Sequence, residues 1–360
     1  MKKGEQESAL DILPEDDQSN EVLIEYDITT YPSDFTLKGL AEMWGNQDIT
    51  IPDFQREFVW SIKQSSLLIE SFLVGLPVPP VFFYIDDENR NLVVDGQQRI
   101  LSIIFYFEGY FGRENDKGKR QAFRLMGLNE KSPYANKKIS DLEMKDRRKL
   151  ENSVLRAINI RQLSPKEENT SIYHIFERLN TGGTPLIPQE IRSCVFRGHF
   201  LSQLKSLNTD KNWRAILGKK SVDKHQKDVE LILRAFSLSH HLSAYEKPMK
   251  EFLSKVARKY QKLAVKEVAN FSTDFQEATK YINENLRPKP FSVRGPLNNS
   301  IFDSVFCTIL NNLHSLPNNL NDRYEKLLAD EKFIDYTSLA TTDEKIVKER
   351  FEYVKKKLIK

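Results

Sequence analysis

The feature that most constrains this chain is a strand–turn–helix junction around residue 95. Leu92-Val93-Val94 is a short apolar run of strand type. Asp95-Gly96-Gln97-Gln98-Arg99 is polar, and Ile100-Leu101-Ser102-Ile103-Ile104-Phe105-Tyr106-Phe107 is an apolar run of helical length. A buried strand feeding straight into a buried helix commits this region to an α/β layer. Asp95 can cap the new helix, because its carboxylate accepts from first-turn amides. Gly96 has no Cβ, so a ligand can come close to the backbone. Arg99 is then out of place, since a cation in a first turn faces the positive end of the helix dipole. An anion bound at the same helix end removes the conflict: helix N-termini hold phosphate, and a guanidinium grips it bidentately. The plainer reading leaves Asp95 as a cap and Arg99 as a solvated surface residue.

The 360 residues suffice for two or three domains, each with its own core. With 54 Lys+Arg against 51 Asp+Glu the net charge is +3, so nucleic-acid binding must come from a local patch and not from a basic coat. The two cysteines, Cys194 and Cys307, lie in apolar helical contexts without a CxxC pair. That argues against a cysteine zinc site and for buried free thiols in a reducing cytoplasm. No signal-peptide core and no run of 18 apolar residues is present, so neither export nor a membrane span is expected.

Residues 1–24 are polar and acidic and read as a disordered tail. Thr36 caps a short helix, Leu37 to Trp44, closed by Gly45. Ser61 and Gln64 form a capping box for a helix ended by Gly75. Val81–Ile85, Leu92–Val94, Phe123–Met126 and Val154–Ile160 read as strands, and Lys145–Leu150 as a basic helix. Ser164-Pro165 starts a helix with Ile172, Ile175, Phe176 and Leu179 on one face, and Pro188 opens another. Beyond residue 200 strand signals vanish and helical periodicity takes over. The expected architecture is an α/β (α+β) domain over residues 25–200 and an all-α domain over residues 201–360.

Three blocks then form one recognisable pattern. They are Ile51-Pro52-Asp53-Phe54-Gln55-Arg56 with Trp60, Val94-Asp95-Gly96-Gln97-Gln98-Arg99, and Ile175-Phe176-Glu177-Arg178-Leu179-Asn180-Thr181-Gly182-Gly183-Thr184-Pro185-Leu186 with Glu190-Ile191-Arg192. In this order the chain resembles the N-terminal domain of GmrSD-type modification-dependent restriction systems. The resemblance implies a ParB/sulfiredoxin-like fold whose Gly-x-x-Arg turn binds nucleotide phosphates. It also implies NTP binding and hydrolysis with Mg²⁺, and sensing of modified phage DNA. In that family an HNH-type nuclease domain does the cutting. The histidines His174, His199, His225, His240, His241 and His314 show no HNH arrangement. The nuclease is therefore expected in trans, and a homodimer is left open.

On this reading Asp95 and Arg99 are the catalytic candidates, with Asp95 holding Mg²⁺ or orienting water and Arg99 neutralising phosphate charge. Gln55, Arg56, Gly96, Gln97, Gln98, Asn180, Gly182 and Gly183 are the nucleotide-binding candidates. Glu190 and Arg192 are expected to pair or to brace the 180–184 turn. That turn reads equally as a helix C-cap, and Arg56 as a structural ion-pair partner. Asp141, Glu143 and Lys145 only superficially match a PD-(D/E)xK nuclease, and no histidine metal site is expected. Two other classes stay open: a non-enzymatic adaptor that binds DNA or a partner, and a free-standing DNA endonuclease.

Overall fold

The structure, a computed structural model, describes residues 10–15, 26–51, 58–86, 88–112, 119–164, 171, 172, 175, 179, 187–261, 266–293 and 295–360. It divides into an α/β unit, Glu25–Leu186, and a helical unit made of Met1–Ile24 and Ile187–Lys360.

In the α/β unit the order is β1 (Asp27–Thr36), α1 (Leu37–Gly45), β2 (Ile49–Thr50), α2 (Ile62–Val74), β3 (Val81–Ile85), β4 (Asn91–Asp95) and α3 (Gln97–Glu108). The short pair β5 (Tyr110–Phe111) and β6 (Gln121–Ala122) follows, then α4 (Met144–Asn152) and β7 (Val154–Ser164). The main sheet has the order β1-β7-β3-β4-β2. β1 and β7 are antiparallel, as are β3 and β4, while β3 with β7 and β2 with β4 run parallel. Local chemistry sets the element ends. Thr36 Oγ1 accepts from the Gly39 amide, and the Ser61–Gln64 box closes in both directions. Gly75 and Gly109 end α2 and α3 in the left-handed region, at φ 86° and 80°. Ile100, Ile103 and Ile104 of α3 are fully buried. Each contributes about 2 kcal/mol of burial, which anchors α3 in the core of this unit.

In this unit one expected strand is absent and one strand was not foreseen. Phe123–Met126 is not a strand: Leu125 exchanges backbone bonds with Lys137 and Asn136, in a turn, so ladder pairing stops at Ala122. β1 was not foreseen because Asp27–Thr36 has no apolar alternation and contains Pro32. Such a segment is tolerated only at a sheet edge, which is where β1 lies.

The helical unit contains α5 (Pro188–Val195), α6 (His199–Leu207), α7 (Lys211–Leu217), α8 (Lys227–His241), α9 (Met249–Gln261) and α10 (Lys266–Asn285). The run Asn299–Ile301 (α11), Phe302–Phe306 (π-helical) and Cys307–Leu310 (α12) follows, then α13 (Leu320–Leu328), α14 (Glu331–Tyr336) and α15 (Glu344–Leu358). Trp213, Phe275, Phe302 and Phe306 make an aromatic centre in its core. The division falls at 186/187 and not at 200, because α5 is tied to α8 and α9 through buried Arg192. Residues 10–15, expected as part of a disordered tail, are instead docked on this unit, with Leu10 in its core. Among the described residues no helix is long and apolar enough to cross a membrane.

Candidate functional site

The first turn of α3 gathers side chains and backbone from several directions. β4 delivers Asp95 to its end, and Gly96 makes the turn. Gly96 is the N-cap residue, at φ 95°, and has no side chain with which to cap. A Cβ on Gly96 would fall 2.3 Å from Val81 Cγ1. The glycine is therefore required by a left-handed backbone and by close packing on β3, rather than by the approach of a ligand alone.

Asp95 does not cap α3, contrary to expectation. Its Oδ2 accepts from Arg99 Nη2 at 2.9 Å, and the same nitrogen donates to the Pro80 carbonyl at 3.1 Å. The left-handed turn at Gly96 carries the Asp95 side chain past the helix end and onto the guanidinium four residues on. The counter-charge that Arg99 needs beside the helix dipole is thus met within the chain. The two side chains differ in exposure, 18% for Arg99 and 46% for Asp95, so the carboxylate is the wetter and more exchangeable partner. Arg99 Nε is buried and has no acceptor among the described residues.

Gln98 ties the second sequence block to the first. Its Oε1 accepts from the Val59 amide at 3.0 Å and the Trp60 amide at 3.2 Å. Phe58 packs edge-on against Phe105 of α3 and against Phe111, with centroids 5.0 and 5.5 Å apart. On the other flank Ile49 and Thr50 pair with Asn91 and Leu92 of β4. Both ends of the first block are therefore anchored around the junction that carries Asp95. Gln55 and Arg56 themselves lie outside the described residues, as do Asn180, Gly182 and Gly183. Behind α3, Ser102 Oγ donates to Ser65 Oγ of α2 at 2.8 Å and so sets the spacing of the two helices. Gln97 sits on the first turn of α3 beside Gln98.

Glu190 and Arg192 belong to the helical unit. Glu190 Oε2 accepts from the Ile187 amide at 2.9 Å, and His225 Nδ1 donates to its Oε1 at 2.9 Å. Arg192, fully buried, donates to Glu230 Oε2 at 2.7 Å, Gln189 Oε1 at 3.0 Å, Ser254 Oγ at 3.2 Å and the Lys250 carbonyl at 3.1 Å. These bonds stay within the helical unit, where they tie α5 to α8, α9 and His225, and the two side chains do not bond to each other.

Sequence reasoning missed the roles of Pro80, Val81 and the Val59–Trp60 amides. The rigid Pro77-Val78-Pro79-Pro80 connector was the available signal, because it fixes where the Pro80 carbonyl points. His240 and His241 are packing residues: His240 Nδ1 donates to the Phe236 carbonyl, and His241 meets the Tyr260 hydroxyl. Among the described residues no three His, Cys, Asp or Glu side chains gather in a metal-holding group. A Mg²⁺ carried on a triphosphate needs only one or two protein carboxylates, and the half-exposed Asp95 fits that demand.

Residues 40–197 match the family model described as GmrSD restriction endonuclease, N-terminal domain, and this segment of the chain is a domain of that type. The match takes in the whole junction at residue 95 and ends just beyond α5. A comparison with curated proteins returns no match.

Proposed function

We propose that a chain carrying this GmrSD-type N-terminal domain binds and hydrolyses NTP, and senses modified DNA for a restriction or anti-phage system whose cutting is done by a separate nuclease. The α/β unit is then a ParB/sulfiredoxin-like module, with the turn after β4 as its phosphate site. The observation that carries the reading is the Asp95–Arg99 pair at the N-terminus of α3. A guanidinium with a buried, unsatisfied Nε stands at the positive end of a helix, held by an exposed and replaceable carboxylate.

A triphosphate competes with Asp95 for Arg99. Once displaced, Asp95 is available to orient the attacking water or to hold the metal. Water attacks the γ-phosphorus, the bond to the β,γ-bridging oxygen breaks, and NDP and phosphate leave. Arg99 stabilises the charge on the transferring phosphoryl group; Asp95 would hold a Mg²⁺, which would supply further charge neutralisation there. Gly96, Gln97 and Gln98 contribute the turn and its amides. Gln55 and Arg56, on the block that Gln98 ties down, reach the same ligand. Asn180, Gly182 and Gly183 are read as contacts to the base or phosphates.

Phosphate release with each NTP and Mg²⁺, with and without modified DNA, tests this. Release that is stimulated by DNA and falls at least about a hundredfold in Arg99→Ala is the expected result. Folded protein that binds no nucleotide by calorimetry overturns it.

One observation favours a second reading. Arg99 is already neutralised and also clamps the Pro80 carbonyl, as a purely structural arginine does. On that reading the domain is an adaptor for DNA or a partner. Ligand binding without phosphate release, unchanged by Asp95→Ala, supports the adaptor.

A further inference from the structure

Residues 10–15 lie on the helical unit as a peptide lies in a receptor. Leu10 is buried in the helical core, at 4% exposure. Its amide donates to Asp223 Oδ2 at 2.6 Å, and its carbonyl accepts from Lys227 Nζ at 3.3 Å. Ile12 forms a parallel bridge with Leu297. The Leu13 amide donates to the Leu297 carbonyl at 2.9 Å, and the Leu297 amide to the Asp11 carbonyl at 3.0 Å. Glu15 then closes a bidentate pair on Arg234, with Oε1 to Nη2 at 2.6 Å and Oε2 to Nη1 at 3.0 Å. A buried apolar side chain, strand pairing and a paired carboxylate are the means by which folded domains read short linear peptides.

The groove demands an anion at its far end. Arg234, 2% exposed, is also held by the buried carboxylate of Asp303. Burial alone would pull its pKa down, but Asp303 and Glu15 outweigh burial and keep the guanidinium charged, well above the usual arginine range. Arg350 lies in the same field and, among the described residues, bonds only carbonyls, those of Tyr336 and Thr341. Take Glu15 away and two buried guanidinium groups face Asp303 alone. The groove is also larger than its occupant. A cavity of about 290 Å³ remains beside Leu13, Pro14 and Glu15. Asn299 lines it with a buried Oδ1 that has no partner among the described residues.

We infer that this groove is a docking site for an acidic linear peptide of a partner protein, and that residues 10–15 are the internal copy such a peptide displaces. The partner peptide carries an apolar residue five positions ahead of a carboxylate and runs parallel to the backbone at Leu297. The inference is independent of the nucleotide reading, since none of these residues belongs to the α/β unit.

Hydrogen exchange on the wild-type chain is the first test. Amides of Leu10, Leu13 and Leu297 exchange by local release, at least tenfold faster than the Leu233 and Phe236 amides inside α8. Exchange of all of them at one common, global rate overturns the inference. The second test uses the full-length Leu10→Ser/Glu15→Gln variant and a labelled peptide with the sequence of residues 8–17. The variant binds the peptide at least tenfold more tightly than wild type does, by fluorescence anisotropy, and a peptide with the same two changes does not bind. A folded variant that ignores the peptide sinks the idea. So does a wild-type chain that swaps the segment between two copies instead of admitting the peptide. Should the double variant not fold, the exchange rates of the wild-type chain decide.

Discussion

Arg99 Nη2 donates to Asp95 Oδ2 at 2.9 Å across the left-handed turn at Gly96, and this contact ties the strand to the helix it launches. The same contact sets the terms on which an anion can enter, because an anion that takes Nη2 must first replace Asp95.

Asp95→Asn separates binding from turnover. The half-exposed pair contributes about 0.5–1 kcal/mol, so freeing Arg99 tightens nucleotide binding about two- to fivefold. Hydrolysis falls by about a hundredfold or more, because the water-orienting carboxylate is gone. Calorimetry with phosphate release on one preparation reads both, and weaker binding together with intact turnover contradicts the assignment.

Gly96→Ala destabilises the α/β unit by about 2–4 kcal/mol, from a left-handed Cβ and its collision with Val81 Cγ1. Thermal unfolding measures it. Val81→Ala in the same chain recovers little of this loss, because it removes the Cγ1 contact but leaves Val81 Cβ 2.8 Å from the new methyl and the left-handed backbone unchanged.

Gln98→Ala leaves the Val59 and Trp60 amides without their side-chain acceptor and costs about 1–2 kcal/mol. Limited proteolysis then cuts at Phe58–Trp60 at protease levels that spare the wild type. An unchanged cleavage pattern shows that the packing of Phe58 alone holds this segment.

Asp330 gives the helical unit an acid-labile joint. The Lys357 ammonium, bonded at 2.9 Å, holds its carboxyl below the usual range, with help from the Tyr353 hydroxyl and the Phe333 amide. Its folded pKa is depressed, so this stabilisation is complete above the ordinary carboxylate pKa of about 4 and is lost as pH falls through the lower, folded value. Asp330→Asn flattens the acid limb of the stability–pH curve below about pH 4 and lowers stability at neutral pH. Parallel curves for the two proteins refute the assignment.

Cys307 is inert in the native chain. Its thiol is fully buried, its Sγ donates to the Ala235 carbonyl, and burial pushes its pKa up. In a Cys194→Ser background, a disulfide-exchange reagent labels Cys307 about a hundredfold more slowly in native buffer than in denaturant.

Much of the α/β unit was legible because its signals are local. The capping box at Ser61, the terminating Gly75 and Gly109, and the apolar runs of β3, β4 and α3 act within a few residues of themselves. The conflict around Arg99 was legible too, but its resolution was not. The direction in which Gly96 throws the Asp95 side chain depends on a backbone angle that residue types do not declare. Gln98 with Val59 and Trp60 lies nearly forty residues apart in sequence, and only the fold brings them together. The acidic composition around residues 10–15 reads as a disordered tail, which the docked segment contradicts. It says nothing of the Arg234 and Leu297 partners that order the segment, since those lie far along the chain. The Cys194 side chain lies outside the described residues.

The helical unit takes its first piece from ahead of the α/β unit and the remainder from behind it. During translation the Leu10–Glu15 stretch therefore leaves the ribosome long before Arg234, Leu297 and Asp303 exist to receive it. The α/β unit can fold as it emerges, while the Leu10–Glu15 stretch stays open to chaperones and to other chains until the chain has been made through Asp303.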